Sequence, residues 1–499
     1  MGEEGGGRSC GTTRDLQKLK QQAMEYYREN DVPRRLEELL NSTFYLQPAD
    51  VYGHLANCFS KLAKPPTICK VVGKNVLDGL GLPTLQVEIF CTIQNFPKNI
   101  CSVVISTHFE VHENALPELV EAEELERSDA VSTAVRWVNE TITEELQGLA
   151  PSNQAEVDQV LRTFFESKVQ EDKERKELEK SLEDSTVPTP SPLTPPPPPP
   201  PPAKKKGQKQ GRKDTLTEKP IVPPEPVEPT LCGSMAIGAV SLAVAKTSAV
   251  LGNNPLYLNI ALLKHHQDQP AKLTIPLLMV SLVSCGKASP GKLNLMKEVI
   301  CIPHPGLTAK QGVDMLLEIQ KHINKTIEMD SEQWDSTYNA LGSKCYIIAG
   351  TASKSISKLL EDGNIGILRC SGLIVKHTNQ TTMSDLVEMT NLIDSKKHIT
   401  VFGSAEGESS DDSLVDLAVG LGVRFIKLGG LSRGERVTKY NRLFTIEEEL
   451  VQNGTLGFSE EHTFFYLNEE AEKAAMAGEL PEPPKPIFAT EVVEQSAKT

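Results

Sequence analysis

The chain has 499 residues and a formal net charge of −15 at pH 7. A chain of this length can form two to four domains and bury a large core. The acidic charge argues against nucleic acid as the main partner, because phosphate backbones attract basic surfaces. The sequence has no run of eighteen apolar residues, so we expect no membrane partner either.

The amino terminus and the cysteines both predict a cytoplasmic location. The first fifteen residues contain acidic side chains and no apolar segment, unlike a secretory signal. The ten cysteines include no Cys-x-x-Cys pair. Several of them lie in apolar strand-like segments, namely Cys91, Cys101, Cys301 and Cys345, and we expect reduced thiols within a core.

Residues 14–66 carry two apolar stripes at helical spacing, separated by a break at Gln47–Asp50. The first stripe ends at Phe44, the second begins at Val51, and Pro65-Pro66 ends the segment. Two short amphipathic helices cannot bury both stripes by themselves. Either the rest of the chain or a partner is therefore expected to cover them.

Residues 67–167 predict an α+β domain. Apolar side chains alternate over Leu85–Ile89 after a Gly-Leu-Pro turn, and Cys101–Ser106 supplies a partner strand. A helix is expected over Ala130–Leu149.

Residues 168–230 have the composition of a linker. The charged run Lys168–Glu183 suits a solvated helix, and eight consecutive prolines follow at Pro195–Pro202. Such a composition predicts a disordered, extended spacer. A ligand for SH3 or WW domains, or a nuclear address in the basic cluster after the prolines, is the alternative interpretation.

Strands and helices alternate over residues 231–458, which predicts an α/β domain. A helix of small residues opens it at Cys232–Lys246. There are six candidate strands: Leu273–Val283, Val299–Ile302, Cys345–Ile348, Leu373–Lys376, Ile399–Phe402 and Val423–Lys427. Residues 459–499 are expected to form a flexible tail.

The segment Val423–Leu450 carries the most specific motif of the chain. A strand ends in a lysine, a glycine pair allows close backbone approach at Gly429-Gly430, and a helix follows. The pattern closely resembles the carboxyl-terminal segment of enolases, through Lys427, Gly429, Arg433, Glu435, Arg436, Lys439, Tyr440, Asn441 and Glu447–Glu449. The start of 67–167 resembles the enolase capping domain, through Leu77, Asp78, Gly81, Pro83, Thr84 and Val87.

The chain is thus identified as a member of the enolase family, from a divergent vertebrate branch. The resemblance implies a capping domain and a TIM-type barrel of eight strands, of which about six are found. A closed barrel of this type needs roughly 250 residues, whereas 231–458 spans 228. No strand separates the helices predicted at Ala309–Ile323 and Glu332–Leu341. We therefore predict an incomplete barrel with an internal deletion near 324–331.

The family resemblance implies interconversion of 2-phosphoglycerate and phosphoenolpyruvate with Mg²⁺ as cofactor. Proton removal next to a carboxylate needs a neutral lysine base, whose pKa is lowered by nearby positive charge. The resemblance assigns the base to Lys376 and substrate contacts to Lys427 and Glu298. Lys297 is the competing alignment for Glu298.

Other family positions depart from the pattern. The metal-binding aspartate falls at Gly350, and the other two metal carboxylates fall in the missing segment, so no metal ligand is predicted in this chain. The Ser-His-Arg-Ser that grips the substrate becomes Gly403–Glu406. The acids that follow, Glu408, Asp411 and Asp412, are expected to form a solvated helix start.

Within 14–66, residues 32–62 resemble the dimerisation and docking module of the type II regulatory subunit of protein kinase A. The matching residues are Val32-Pro33, Leu36, Leu39-Leu40, Pro48, Asp50, Phe59 and Leu62. In that family two hairpins form a four-helix bundle that receives an amphipathic helix of an anchoring protein. This implies a kinase-anchoring partner and a cytoskeletal association.

Two functions follow. The first is a phosphopyruvate hydratase, whose activity is in doubt because the metal ligands are missing. The second is a non-catalytic enolase-like scaffold that binds other enolases or anchoring proteins. Homo- or hetero-oligomers with enolases fit both.

Overall fold

We analysed a computed structural model of the chain. It describes residues 9–105, 117–185, 231–284, 298–303, 306–329, 348–350, 372–377, 380–395, 399–403 and 408–457. Two compact units are present: Met1–Thr67 with Cys91–Lys98, and Ile68–Phe90 with Asn99–Thr499. The proline run, the predicted helix Glu332–Leu341 and the tail 459–499 lie outside the described residues.

The first unit contains three helices, α1 (Ser9–Glu29), α2 (Val32–Leu46) and α3 (Val51–Leu62). The break between α2 and α3 has a simple cause. Asp50 is the N-cap of α3 and its carboxylate accepts a hydrogen bond from the Gly53 amide. Large apolar side chains remain exposed on all three helices, among them Leu19, Leu40, Phe44, Tyr52 and Phe59.

A three-stranded sheet follows in the chain, in the order β1 (Thr67–Leu77), β2 (Pro83–Ile93), β3 (Phe96–Val104). The sequence predicted two of these strands, because β1 carries two lysines within its length and lacks clean alternation. Helix α4 (Pro117–Trp137) begins 13 residues before the expected start. It continues through a π-helical turn (Val138–Ile142) into α5 (Thr143–Leu146).

Helix α6 (Gln154–Ser185) extends into the predicted linker 168–230. Residues 168–185 are helical, as expected for the charged run Lys168–Glu183. Ion pairs three and four residues apart support this extension, including Lys168–Glu171 and Asp172–Lys176. The charged run is therefore a solvated helix.

The sheet of the carboxyl-terminal part has six described strands in the order β5-β4-β9-β8-β7-β6. They are β4 (Leu277–Ser284), β5 (Glu298–Cys301), β6 (Ile348–Gly350), β7 (Gly372–Val375), β8 (Ile399–Gly403) and β9 (Phe425–Gly429). β4 and β5 are antiparallel, and the other neighbouring pairs are parallel. Within the described residues, β5 and β6 are the outer strands. Each strand lies within a few residues of its predicted position.

Both faces of this sheet are apolar, and helices pack against it. One face carries the cluster of Met279, Val401 and Phe425, and the other carries Leu278, Val375, Phe402 and Ile426, all buried. The helices are α7 (Met235–Leu251), α8 (Leu256–Lys264), α9 (Ala309–Met329), α10 (Met383–Ser395), α11 (Ser413–Gly420) and α12 (Gly434–Gln452). α9 packs against β4, α10 against β8 and α12 against β9.

Helix α7 is apolar all round because it is a buried core helix, and every residue from Met235 to Ala245 is inaccessible to solvent. In the described part of the chain no single helix is long and apolar enough to cross a membrane. α7 and α8 together meet the length and composition criteria, but they are bent by 108°.

Candidate functional site

The two lysines predicted at strand ends, Lys376 and Lys427, lie on the same face of the sheet and at the same position along the strand direction. Gly403 of β8 pairs in register with Lys427 of β9. Lys376 follows β7 and is two residues after Ile374, which pairs with Val401 of β8. Because side chains alternate along a strand, Lys376, Gly403 and Lys427 share the face of the apolar cluster. Two strand spacings separate the lysine backbones, about 10 Å.

Gly403 leaves the space between the lysines open. A methyl group at this position would lie 3.8 Å from Lys376 Cγ and 3.2 Å from Ile374 Cγ2. The apolar layer of Ile374, Val401 and Phe425 lies one step below. Two lysine side chains therefore lie above an apolar layer at the carboxyl ends of parallel strands, where α/β sheets bind their ligands.

The other predicted positions, Glu298 and Gly350, lie on the outer described strands β5 and β6. Glu298 is the first residue of β5 and pairs with Ser284 near the carboxyl end of β4. Met279, the β4 partner of Lys427, lies five residues before Ser284, so Glu298 is roughly 16 Å further along the strand direction. Gly350 ends β6 in register with Ile374, and it presents no ligand atom from a side chain there.

The acids after β8 correct a prediction. They were expected to be a solvated helix start, but Glu408 is buried and its carboxylate lies 2.9 Å from Lys439 Nζ and 3.3 Å from Arg436 Nε. Lys439 is 1% exposed and also donates to the Ser409 and Glu435 carbonyls. A buried ammonium requires such partners, since desolvation of an unpaired charge is costly.

Asp411 connects the same loop to the three-stranded sheet. Its carboxylate accepts hydrogen bonds from the amides of Val104 and Ser413 and lies 3.7 Å from Lys246 Nζ. The Ser409 hydroxyl donates to the Val104 carbonyl at 2.7 Å. The end of β3 is thus hydrogen-bonded on both sides by the loop that follows β8.

The turn after β9 requires its glycine. Gly429 has φ of +77°, and a methyl group there would lie 2.9 Å from the Arg436 guanidinium. The Tyr440 hydroxyl donates to the Gly429 carbonyl at 3.0 Å. The close backbone approach predicted for the glycine pair is therefore confirmed, and its partner is the helix of the same motif.

Glu408 and Asp411 were assigned no site role from the sequence, and His377 was not considered. One signal was present for Glu408. Lys439 lies on the same helical face as Leu443, Ile446 and Leu450, all buried, and a lysine at such a position needs a buried carboxylate. His377 had no comparable signal, because a single histidine after a strand does not indicate what surrounds it.

Comparisons with known proteins identify the family. The chain is 68% identical to a protein named Enolase 4 from Homo sapiens, with 100% of this chain and 99% of that protein covered. The chain belongs to the enolase family. It is also 58% identical to Enolase 4 from Mus musculus and 41% identical to Enolase 4 from Xenopus laevis, with 100% and 91% of this chain covered. A model of the enolase C-terminal TIM barrel domain matches residues 319–463. Cytosolic enolase 3 from Arabidopsis thaliana is 24% identical over 85% of the chain.

These enolase relatives confirm the predicted family and its divergent vertebrate branch. The alignment with the human protein extends over 620 residues, whereas the chain has 499, so at least 121 positions of that alignment are gaps in this chain. The human and mouse relatives therefore contain segments that this chain lacks.

The magnesium that enolases use does not fit the described residues of this site. Mg²⁺ requires carboxylate oxygens in near-octahedral geometry. The side chains at the strand ends include two lysines, and the nearby Glu408 and Asp411 already pair with Lys439, Arg436 and Lys246. Among the described residues, no three histidine, cysteine or acidic side chains come close enough to hold a metal ion.

Proposed function

We propose that the chain carries an enolase-type site for 2-phosphoglycerate and phosphoenolpyruvate, with Lys376 in the position of the base. Lys427 is the second cation. The family resemblance also assigns a substrate contact to Glu298, although its backbone lies roughly 16 Å beyond the level of the lysines along the strand direction. One observation carries this proposal. The register of β7, β8 and β9 brings Lys376 and Lys427 together on either side of Gly403.

The chemistry of a lysine pair suits this ligand. The ammonium of Lys427 attracts a carboxylate or a phosphate, and Lys376 does so when it is protonated. In the reaction of a phosphopyruvate hydratase, a neutral lysine takes the proton from the carbon next to the carboxylate. That electron pair forms the double bond, and the hydroxyl on the next carbon leaves as hydroxide, which takes a proton from solvent to become water while the lysine returns its own proton to solvent. A second cation lowers the pKa of the base and stabilises the developing negative charge.

We expect turnover by this chain alone to be slow. The described residues do not provide the magnesium site, and removal of a single electrostatic contact to a developing charge typically costs about 10²–10³ in rate. Binding of the anion and catalysis of its hydration are therefore expected to separate in this protein.

The decisive experiment measures hydration of phosphoenolpyruvate by the full chain with magnesium present. Lys376→Ala tests the base, and Lys321→Ala is the control, because Lys321 is exposed on α9 and pairs locally with Glu318. A rate above background that only Lys376→Ala removes supports the enzyme. Identical background rates in all three proteins contradict catalysis by this chain.

A second candidate is a non-catalytic scaffold. It is favoured by the exposed apolar side chains on α1, α2 and α3, which exceed the scattered exposure normal for a monomer. By resemblance to the docking module, residues 14–66 would form a bundle with a second hairpin and receive an amphipathic helix from a kinase-anchoring protein. The body would then associate with itself or with other enolases. A cytoplasmic, cytoskeleton-associated location follows from such a partner.

A charge in the apolar stripe tests this second function. Leu39→Glu is expected to abolish capture of a fluorescently labelled anchoring helix, measured by anisotropy, because a carboxylate would have to be buried. Ser42→Glu adds the same charge at an exposed position of α2 and should bind normally. Equal binding by both variants would contradict docking through this stripe.

The incomplete barrel is a further part of the proposal. It is supported by the alignment gaps and by the short outer strands β5 and β6 of the described sheet. Exposed strand edges pair with other chains, so self-association or rescue by a partner is expected. A monodisperse, highly stable monomer in size-exclusion and melting measurements would contradict it.

A further inference from the structure

A small polar cavity lies beside the candidate site. It is lined by His377, Gly403, Ser409, Asp411 and Lys439, with apolar side chains of β3, α7 and α11 completing its walls. Its volume is ≈ 30 Å³, which is enough for about one water molecule when polar partners are present. Gly403 is the residue between the two lysines, so the cavity adjoins the site directly.

His377 presents a ring nitrogen that has no partner. Its Nε2 atom is buried and forms no hydrogen bond with the described protein atoms. Burial lowers the pKa of His377 to about 4, and backbone groups of Thr381 and Gly238 near the ring only partly oppose this shift. The imidazole is therefore neutral at pH 7, with one donor and one acceptor nitrogen. A buried polar atom without a partner is destabilising, because it has lost its hydrogen bond to water.

Lys439 and Asp411, which also line the cavity, differ in how many further hydrogen bonds they can form. The Lys439 ammonium already donates to three acceptors, Glu408, the Ser409 carbonyl and the Glu435 carbonyl. Asp411 accepts two amide hydrogen bonds, and a carboxylate has about four acceptor positions. A water molecule in the cavity would therefore find an acceptor in Asp411 and a second partner in His377.

We propose that one ordered water bridges His377 Nε2 to Asp411, and that His377 is thereby a positioning residue for Lys376. His377 is the next residue after Lys376, so fixing its ring fixes the backbone that carries the lysine. Asp411 in turn holds the Val104 amide at the end of β3. The water thus ties the position of the candidate base to the three-stranded sheet. The inference rests on the proposed function only in taking Lys376 as the group that acts on a ligand.

Two amide substitutions of His377 distinguish the roles of its two ring nitrogens. In His377→Gln the side-chain amide reaches the place of Nε2 and retains the bridge. In His377→Asn the shorter amide mimics Nδ1 and loses it. The probe is Lys376 itself, methylated with ¹³C-formaldehyde in the full chain and followed by NMR, with its resonance assigned by Lys376→Arg. Circular dichroism verifies that each variant is folded.

We expect His377→Asn to shift the resonance and titration midpoint of Lys376, and His377→Gln to retain both. Asp411→Asn should produce the same shift as His377→Asn, and it replaces that variant if His377→Asn does not fold. A shift of equal size in both His377 variants, or no shift in either, would overturn the proposal, because packing alone would then explain His377. A dry cavity in a high-resolution crystal structure would also overturn it. No substrate is needed, so failure to bind phosphoenolpyruvate would refute the proposed function and leave this test intact.

Discussion

Glu408→Gln is expected to be among the more destabilising single substitutions in the carboxyl-terminal part of the chain. The carboxylate lies 2.9 Å from the ammonium of Lys439, and the two side chains are 5% and 1% exposed. The substitution keeps the shape of the side chain and removes its charge. Lys439 would keep two backbone carbonyl acceptors, at 3.0 Å each. The negative charge that Glu408 now places beside it would be gone.

The expected magnitude follows from burial. Removal of one partner of a buried ion pair typically costs about 3–5 kcal/mol, because the other charge stays buried without compensation. Arg436, 3.3 Å from the same carboxylate, also loses its partner. We therefore expect a loss of about 3 kcal/mol in the free energy of unfolding, measured by urea denaturation followed by circular dichroism.

Two controls make this prediction sharp. Glu318→Gln removes a carboxylate that lies 2.8 Å from Lys321, but in that pair both side chains are about two-thirds exposed. Such a pair contributes about 0–1 kcal/mol. The double substitution Glu408→Gln with Lys439→Met should restore part of the loss, since no unpaired charge remains. Equal effects of Glu408→Gln and Glu318→Gln would refute the reasoning.

Three further predictions concern other groups. For His377, the pKa is about 4 in the folded chain and 6.5 ordinarily. The stability it contributes is therefore present above pH 6.5 and lost as pH falls towards 4, at most about 3 kcal/mol. His377→Gln should show a correspondingly smaller loss in urea unfolding between pH 7 and 4. Gly429→Ala should lower the free energy of unfolding by about 1–3 kcal/mol, because φ is positive and the added methyl group would contact Arg436. The control is Gly434→Ala, which has open space around it and should be nearly neutral in the same assay. Asp158→Ala should lower the free energy of unfolding by about 2–4 kcal/mol, since its buried carboxylate accepts hydrogen bonds from Gln154, Ser241 and Ser384. Asp158→Asn should be less destabilising where the new amide donates to one of the two serine hydroxyls.

The strands of the carboxyl-terminal sheet were predictable because each is a short apolar run between turn signals. Once the strands are placed, the shared face of Lys376 and Lys427 follows from side-chain alternation and parallel pairing alone. The register between the strands, which decides whether the two lysines lie side by side, does not follow from the sequence. The register Gly403↔Lys427 is set by packing along the whole sheet, and no local pattern specifies it.

Burial of charge was the main thing that the sequence could not predict. The run after β8 contains Glu408, Asp411 and Asp412, and three acids before a helix normally indicate a solvated N-terminus. Here Lys439 and Arg436 come from a helix some thirty residues later in the chain. The charged end of helix α6 was predictable from local residues, since ion pairs three and four residues apart stabilise a solvated helix.

Buried ion pairs stabilise the end of the sheet that carries Lys376 and Lys427. The lysines depend on the sheet register, and the sheet end depends on Glu408, Arg436 and Lys439, which join the loop after β8 to α12. Gly79 extends this network, because its amide donates to the Glu408 carbonyl at 2.8 Å. None of these contacts requires a divalent ion. Buried ion pairs can therefore keep the two lysines at one end of the sheet without a metal ion. Binding is therefore the property that the described geometry supports independently of turnover.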